Sequence, residues 1–519
     1  MRIDDDGGVG GDSSDGVLRR RALSRRGFLG LGAGLAAVGA AQACSSSVAP
    51  APVSPTGPQV LESERARRAA NARIVNVDLR ARPTTVDLGG PQVTTWAFDD
   101  RLPGREIRLR RGEVLRASLV NELPQDTSIH WHGIAMRNDM DGVPGVTQEA
   151  VKSGAKFDYE FTLPDPGTYF FHPHVGVQLD RGLYAPLIVE DPDEPGRYDA
   201  EAVVVLDDWL DGVAGDPDAK LAELKSKGMQ MGGMDHGGMP GMGGMEHGSA
   251  GPLGSDTGDV DYPHYLINGR VPTAPNTIGA RPGQRLRLRI INAASDTAFR
   301  VALGGHRMVI THTDGFPVQP VETDSLLIGM GERYDAVVTA GDGVFPLVAS
   351  AEGKQGQGLA LVRTGSGAPP APDVRPAELD GRLLTAGALV AAEPVRLPAR
   401  GPDRTHTLEL GMDMSVPYRW TINGKTFEER QPLPVGQGER VRLRFVNSTM
   451  MFHPMHLHGH TYQVVAGQGA GPRKDTSIVL PMETLEVDFQ ADNPGQWMIH
   501  CHNVYHGEAG MMTTISYQA

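Results

Sequence analysis

The stretch "GEVLRASLVN", Gly112 to Asn121, alternates apolar and polar residues, the period-two pattern of a strand with one face buried. It recurs without gaps as "GQRLRLRIIN" from Gly283 and as "GERVRLRFVN" from Gly438. The copies lie a domain's length apart, so the repeating unit is itself a domain and not the short repeat of a solenoid. Three related β domains are predicted. The 519 residues exceed what one core can hold, and 66 glycines with 39 prolines interrupt helical runs, so an all-β chain of short strands and tight turns is expected. Domain one is placed at 65–195, domain two at 196–364 and domain three at 403–519, with the Pro/Ala-rich run 365–402 as a linker.

The formal net charge of −14 speaks against a nucleic-acid partner. Near the N-terminus, "SRRGFLGLGAGLAAVGAAQAC" sets Arg25 and Arg26 ahead of a weakly apolar Gly/Ala stretch ending in small residues. Residues 1–43 resemble a bacterial twin-arginine export signal, which implies a periplasmic, cell-surface or secreted protein. Cys44 follows "AAQA"; if that serves as a lipoprotein cleavage box, Cys44 becomes an acylated lipid anchor. Residues 44–64 read as a flexible tether, and a monomer is expected. With Cys44 removed or lipidated, Cys501 has no disulfide partner. Its chemistry is then metal binding, nucleophilic attack or burial alone.

The repeats bring the histidines into register. Nine residues beyond Asn121 stands His130 of "HWHG", and nine beyond Asn447 stands His456 of "HLHG"; His132 and His458 follow, where domain two has Val301 and Leu303. "GTYFFHPH" from Gly167 and "GQWMIHCH" from Gly495 align likewise, matching His172 with His500 and His174 with His502, whereas domain two offers "GVFPLVAS" from Gly343. Side chains two apart on a strand share a face, so each His-x-His pair aims both imidazoles at one place. Eight histidines converge between domains one and three, too many for one four-coordinate zinc ion and suited to a multinuclear cluster. Cys501, between His500 and His502, faces the other way. With His453, His506 and Met511 it makes a thiolate, two imidazoles and a weak thioether, the ligand set of blue copper. Domain one has Thr127, Pro173, Gln178 and Leu183 at the aligned positions and lacks this second site.

The motifs "HWHG", "HPH", "HPMHLHG" and "HCHNVYHGEAGM" resemble the four copper signatures of the three-domain multicopper oxidases, the family of laccases and bacterial copper-efflux oxidases. The resemblance spans nearly all the chain after the tether. It implies three cupredoxin-like Greek-key β-sandwich domains and four copper ions. Type 2 copper falls to His130 and His456, a type 3 pair to His132, His172, His174, His458, His500 and His502, and type 1 copper to Cys501, His453 and His506 with Met511 axial. It also implies that substrate gives single electrons at the type 1 site, that they pass through Cys501 to its neighbouring histidines, and that dioxygen is reduced to water at the cluster. Protons must be supplied there. Asp141 of "NDMDG" stands where the family keeps a carboxylate beside type 2 copper. Glu508 is the second candidate, one position beyond the family's glutamate, where this chain has Gly507. His460, whose domain-one counterpart is Ile134, is read as structural or as a support behind a ligand.

For the substrate, one segment speaks: "GMQMGGMDHGGMPGMGGMEHG", 228–248, early in domain two. Met229, Met231, Met234, Met239, Met242 and Met245, with His236 and His247, lie in a glycine-rich loop that cannot build a core. Soft thioethers prefer Cu(I), so the loop is read as a Cu(I) collector. It resembles the methionine-rich inserts of copper-efflux oxidases, which belong to domain three. "NSTMMF" before His453 carries no acidic residue of the kind some relatives keep near type 1 copper. The expected function is oxidation of Cu(I), and of phenolic compounds, coupled to reduction of dioxygen in copper detoxification. The alternatives are a phenol- or Mn(II)-oxidising laccase without a copper-homeostasis role, and a copper-sequestering surface protein without turnover.

Overall fold

The structure is a computed structural model describing residues 51–194, 196–228, 251–466 and 470–519. The predicted export signal, Cys44 and the methionine run from Met229 to His247 lie outside the described residues. Among the described residues six sheets are formed, two in each third of the chain. The first pair has four strands each and spans Ile74 to Glu190; the second has six each, from Ala200 to Leu384; the third has six and five, from Arg404 to Tyr517. No described helix is long and apolar enough to cross a membrane.

The repeated decapeptide builds the equivalent strand three times, as Val114–Asn121, Arg285–Asn292 and Arg440–Asn447. Each has one parallel neighbour (Ile74–Asp87, Ala200–Trp209, Arg404–Met412) and one antiparallel neighbour (Lys156–Thr162, Arg333–Thr339, Thr484–Gln490). The glycine that opens each copy has φ of 82°, 79° and 84° with no atom near its missing side chain. Backbone conformation, not crowding, therefore requires glycine at Gly112, Gly283 and Gly438. The asparagine that ends each copy is buried. Its side-chain oxygen accepts from the N–H two residues on, of Leu123 (2.9 Å), Ala294 (3.0 Å) and Thr449 (2.9 Å). Its amide donates across to Val151, Ile328 and Val479 carbonyls. This Asx turn fixes where the chain leaves the strand toward the next motif.

The histidine motifs then meet by strand pairing. His130–His132 pairs antiparallel with Gly167–His172, setting His130 opposite His172, and His453–Leu457 pairs with Gln496–Cys501, setting His456 opposite His500. Domain two pairs the corresponding strands with Val301 opposite Ala349, one residue from the Val348 that the ungapped alignment indicates. Without ligands to hold, its register follows core packing: Val301, Leu303, Leu347 and Ala349 all join the main apolar core.

Two segments differ from their sequence reading. From Ala51 on, the tether is packed: Val53 and Val60 are buried, Val53 donates to the Tyr517 carbonyl at 2.8 Å, and Pro58–Arg67 is a helix. Two valines and a proline-started helix supply an apolar contact that composition alone hides. The 365–402 run is laid over domain two, burying Leu379, Leu384, Leu389 and Ala391, with Leu383–Leu384 adding a strand edge to Ser325–Ile328.

Candidate metal centres

Eight histidines from two domains gather in one buried space. His130 Nε2 faces His456 Nε2 at 3.4 Å; His132, His172 and His502 form one tight group; His500 Nε2 lies 3.1 Å from His458 Nε2, with the His174 ring 4.8 Å from that of His500. His132 of domain one stacks on His456 of domain three, centroids 3.8 Å apart. Burial, with the neighbouring imidazoles, holds His132, His172, His174, His458, His500 and His502 well below the usual imidazole range, so each offers a neutral lone pair.

One nitrogen of most of these rings is tied down by the protein. His172 Nδ1 donates to its neighbour Pro173 O (3.0 Å) and His500 Nδ1 to Cys501 O (2.9 Å). His130 Nδ1 donates to Asp141 O (3.0 Å), and His458 Nδ1 donates to the Asp141 carboxylate (3.0 Å). His456 Nδ1 donates to Asp475 O (3.0 Å), while His132 uses the other nitrogen, Nε2, toward Asp475 Oδ1 (3.1 Å). The nitrogens left over are buried without partners: His132 Nδ1, His172 Nε2, His174 Nε2 and both of His502. Buried polar atoms are nearly always satisfied, so this concentration of free lone pairs fits metal ions.

Cys501 lies on the opposite face of its strand, as the alternation requires. Its Sγ is 3.6 Å from His453 Nδ1 and 3.6 Å from His506 Nδ1, and these nitrogens are 3.1 Å apart. Asn503 caps the short helix Val504–Glu508 by accepting from Tyr505 and His506 N–H, which turns His506 back over Cys501. Met511 is buried beside it, its N–H donating to His506 O (3.0 Å) and its carbonyl accepting from Cys501 N–H (3.1 Å). Trp420 covers the His506 ring at 4.0 Å. Thiolate, two imidazoles and a thioether suit copper. In domain one the aligned Thr127 and Gln178 also touch, Thr127 Oγ1 donating to Gln178 Oε1 at 2.7 Å. The geometry of the second site survives there as a neutral hydrogen bond.

Asp141 is buried against the cluster, its carboxyl raised by burial against the hydrogen bond from His130. Glu508 is half-buried and lines the cleft that reaches His172, His174, His500 and His502; burial pushes it up to about 7. Glu508 and His174 also line a neighbouring cavity of about 290 Å³, together with Lys225, Glu428 and Phe427. His460 bonds His458 O (3.1 Å) and Tyr517 OH (2.7 Å), behind the ligand histidines. Sequence reading missed Asp259, whose Oδ2 accepts from His506 Nε2 at 2.8 Å and from Tyr418 OH at 2.6 Å. Asp259 belongs to domain two, in "SDTGDVDY" after the methionine run. It also missed Asp475 and Thr476.

Fold and donor set together define a copper-dependent oxidoreductase. Multicopper oxidase family models match residues 81–194, 200–367 and 396–518, and the chain belongs to that family. It is 48% identical over 507 residues to the multicopper oxidase MmcO of Mycobacterium tuberculosis, covering 97% of this chain and 99% of the relative. It is 28% identical to a copper resistance protein A homolog of Pseudomonas syringae pv. tomato, over 84% of this chain and 91% of the relative. Among solved structures, a multicopper oxidase from Pseudomonas thermotolerans aligns with a TM-score of 0.65 at 27% identity, over 86% of this chain and all of the other.

Proposed function

We propose that this enzyme oxidises Cu(I), and phenolic compounds as secondary substrates, in copper detoxification outside the cytoplasm. The observation that carries the choice is where the methionine run is rooted. Before it, the helix Pro217–Lys227 reaches domain three, Lys225 Nζ donating to Glu508 O at 2.8 Å. After it, Asp256 bridges Met451 and Asp259 holds His506. Both flanks of the methionine run thus touch domain-three residues close in sequence to the ligands His453, Cys501 and His506, although the run belongs to domain two in sequence. Similarity to proteins named for copper resistance supports the same reading, and the twin-arginine-like N-terminus supports export, with a lipid anchor if Cys44 is acylated.

His130 and His456 would hold a type 2 copper, the other six histidines a type 3 pair, and Cys501, His453, His506 and Met511 a type 1 copper. Bound there, copper supplies one-electron redox chemistry and the four-electron reduction of dioxygen to water. The chain does the rest. Asp259 orients His506 at the outer end of the electron path, and Cys501 is joined through single residues of backbone to His500 and His502 within the cluster. Asp141 holds His130 and His458 in the tautomer that frees Nε2 and can keep a proton at its carboxylate; Glu508 can pass one along the cleft.

Replacing Met229, Met231, Met234, Met239, Met242 and Met245 with serine should raise the apparent KM for Cu(I) roughly tenfold, a loss of about 1.4 kcal/mol of binding. Phenol turnover should persist. Oxygen uptake by the copper-loaded protein with each donor measures both. An unchanged KM for Cu(I) would make the segment a passive linker, and equal loss on both donors would make it a support for the fold.

A further inference from the structure

Among the described residues domain two supplies no histidine to either centre, yet it reaches the cluster. The backbone at Gly331 lies against two ligand rings: a Cβ there would come within 2.8 Å of His502 Cδ2 and 3.1 Å of His132 Cε1. Two residues on, the fully buried Arg333 enters between all three domains. Its guanidinium forks onto Asp475 of domain three, Nη1 to Oδ1 at 2.7 Å and Nη2 to Oδ2 at 2.6 Å. Its Nε donates to Thr168 O of domain one at 3.1 Å, and Nη1 also donates to Gly331 O at 2.9 Å. Gly133, directly after the "HWH" strand, is pressed so close that a Cβ would meet Arg333 Nη2 at 2.4 Å.

Asp475 is in turn the shared support of two cluster histidines from different domains. Its Oδ1 accepts from His132 Nε2 and its carbonyl from His456 Nδ1, and Thr476 Oγ1 lies within 3.1 Å of both rings. A second acid of domain two, Asp314, accepts from Asp475 and Thr476 N–H (3.1 and 3.2 Å) and from Arg333 N–H (2.9 Å). Lys474 neutralises Asp314 and Glu332, each at 3.1 Å. Buried ion pairs add little net stability against apolar packing, because desolvation offsets their attraction. What a planar, two-point fork adds is fixed geometry.

We infer that Arg333 is a positioning residue: through Asp475 it sets the angle of the stacked His132–His456 pair, so that domain two shapes a metal cluster to which none of its described residues gives a ligand. This rests on the eight-histidine reading of the cluster. The test uses the full-length, copper-loaded enzyme and Arg333→Met, with Arg333→Lys as the conservative variant. Three quantities are read: the blue absorption, the type 2 electron paramagnetic resonance signal, and copper release to excess EDTA. The blue band, which reports Cys501, should remain in Arg333→Met while the type 2 signal shifts or is lost and release from the cluster quickens by about 10–100-fold, the cost typical of removing a ligand's support. Arg333→Lys, charged but without the fork, should fall between. A stable Arg333→Met protein with the wild-type signal and release rate would overturn the inference, as would lowered thermal stability alone. Should that variant not accumulate, Asp475→Asn carries the test with the same outcomes on either side. A wild-type protein that holds copper only at Cys501 would overturn the eight-histidine reading, and the inference with it.

Discussion

Cys501→Ser is expected to be colourless and unable to oxidise any substrate, while still holding copper at the cluster. Blue colour in such sites comes from a thiolate bound to copper, and Cys501 is the one cysteine among the described residues. His453 and His506 both point Nδ1 at its sulfur, and neither can turn the other nitrogen inward: Thr449 Oγ1 occupies His453 Nε2 at 2.9 Å and Asp259 occupies His506 Nε2 at 2.8 Å. A serine hydroxyl fits the space but is a hard, protonated donor. The backbone bond from residue 501 to Met511 O does not depend on the side chain, so the fold should hold. Visible absorption and copper analysis of the purified variant measure this; a variant that stays blue would remove Cys501 from the metal site.

His130→Ala and His456→Ala should show the converse, a retained blue band with oxygen reduction brought to background. These two rings face each other across the boundary between domains one and three at 3.4 Å, and each is tied on its far side, to Asp141 O and to Asp475 O. Losing either removes a donor itself and should cost more than the roughly 10–100-fold that loss of a supporting residue costs. The two variants should also resemble each other, because one ion would be shared by both. Oxygen-electrode traces with an organic donor distinguish the cases: undiminished uptake in either variant would mean that the cluster is not assembled between the domains.

Taken together, Cys501→Ser and the two histidine variants separate the two centres. On the proposed reading, the former would remove the point at which electrons arrive, and the latter the point at which they are used. A protein that only sequestered copper would lose binding in each case but would show no oxygen uptake to begin with.

Much of this was legible in the chain because strand periodicity is local. "GEVLRASLVN" and its two copies define the central strand of each domain, and the alternation that buries one face also sends His500 and His502 one way and Cys501 the other. The empty aligned positions of domain two, and Thr127 with Gln178 in domain one, were readable by register alone. Period-two arguments need only neighbours along one strand.

What the sequence could not show depends on which strands from different domains end up side by side. Asp259 acts on His506 from another domain, and nothing local to "NSTMMF" or to "SDTGDVDY" signals their meeting. Arg333 at the start of its strand and Asp475 in the bend between Arg473–Lys474 and Thr476–Val479 are unremarkable in sequence; only burial at a three-domain junction turns an arginine and an aspartate into a fork that holds two histidines. The ordered arm from Ala51, and the contacts that Lys225 and Asp259 make with Glu508 and His506, are likewise long-range. By itself, then, the sequence determined the all-β repeat, the ligand motifs and the two faces of the Cys501 strand, because each is set by residues a few positions apart. The tertiary structure alone decided which charged groups support those ligands and what the residues flanking the methionine run touch, because such pairings are selected by burial and desolvation across hundreds of residues.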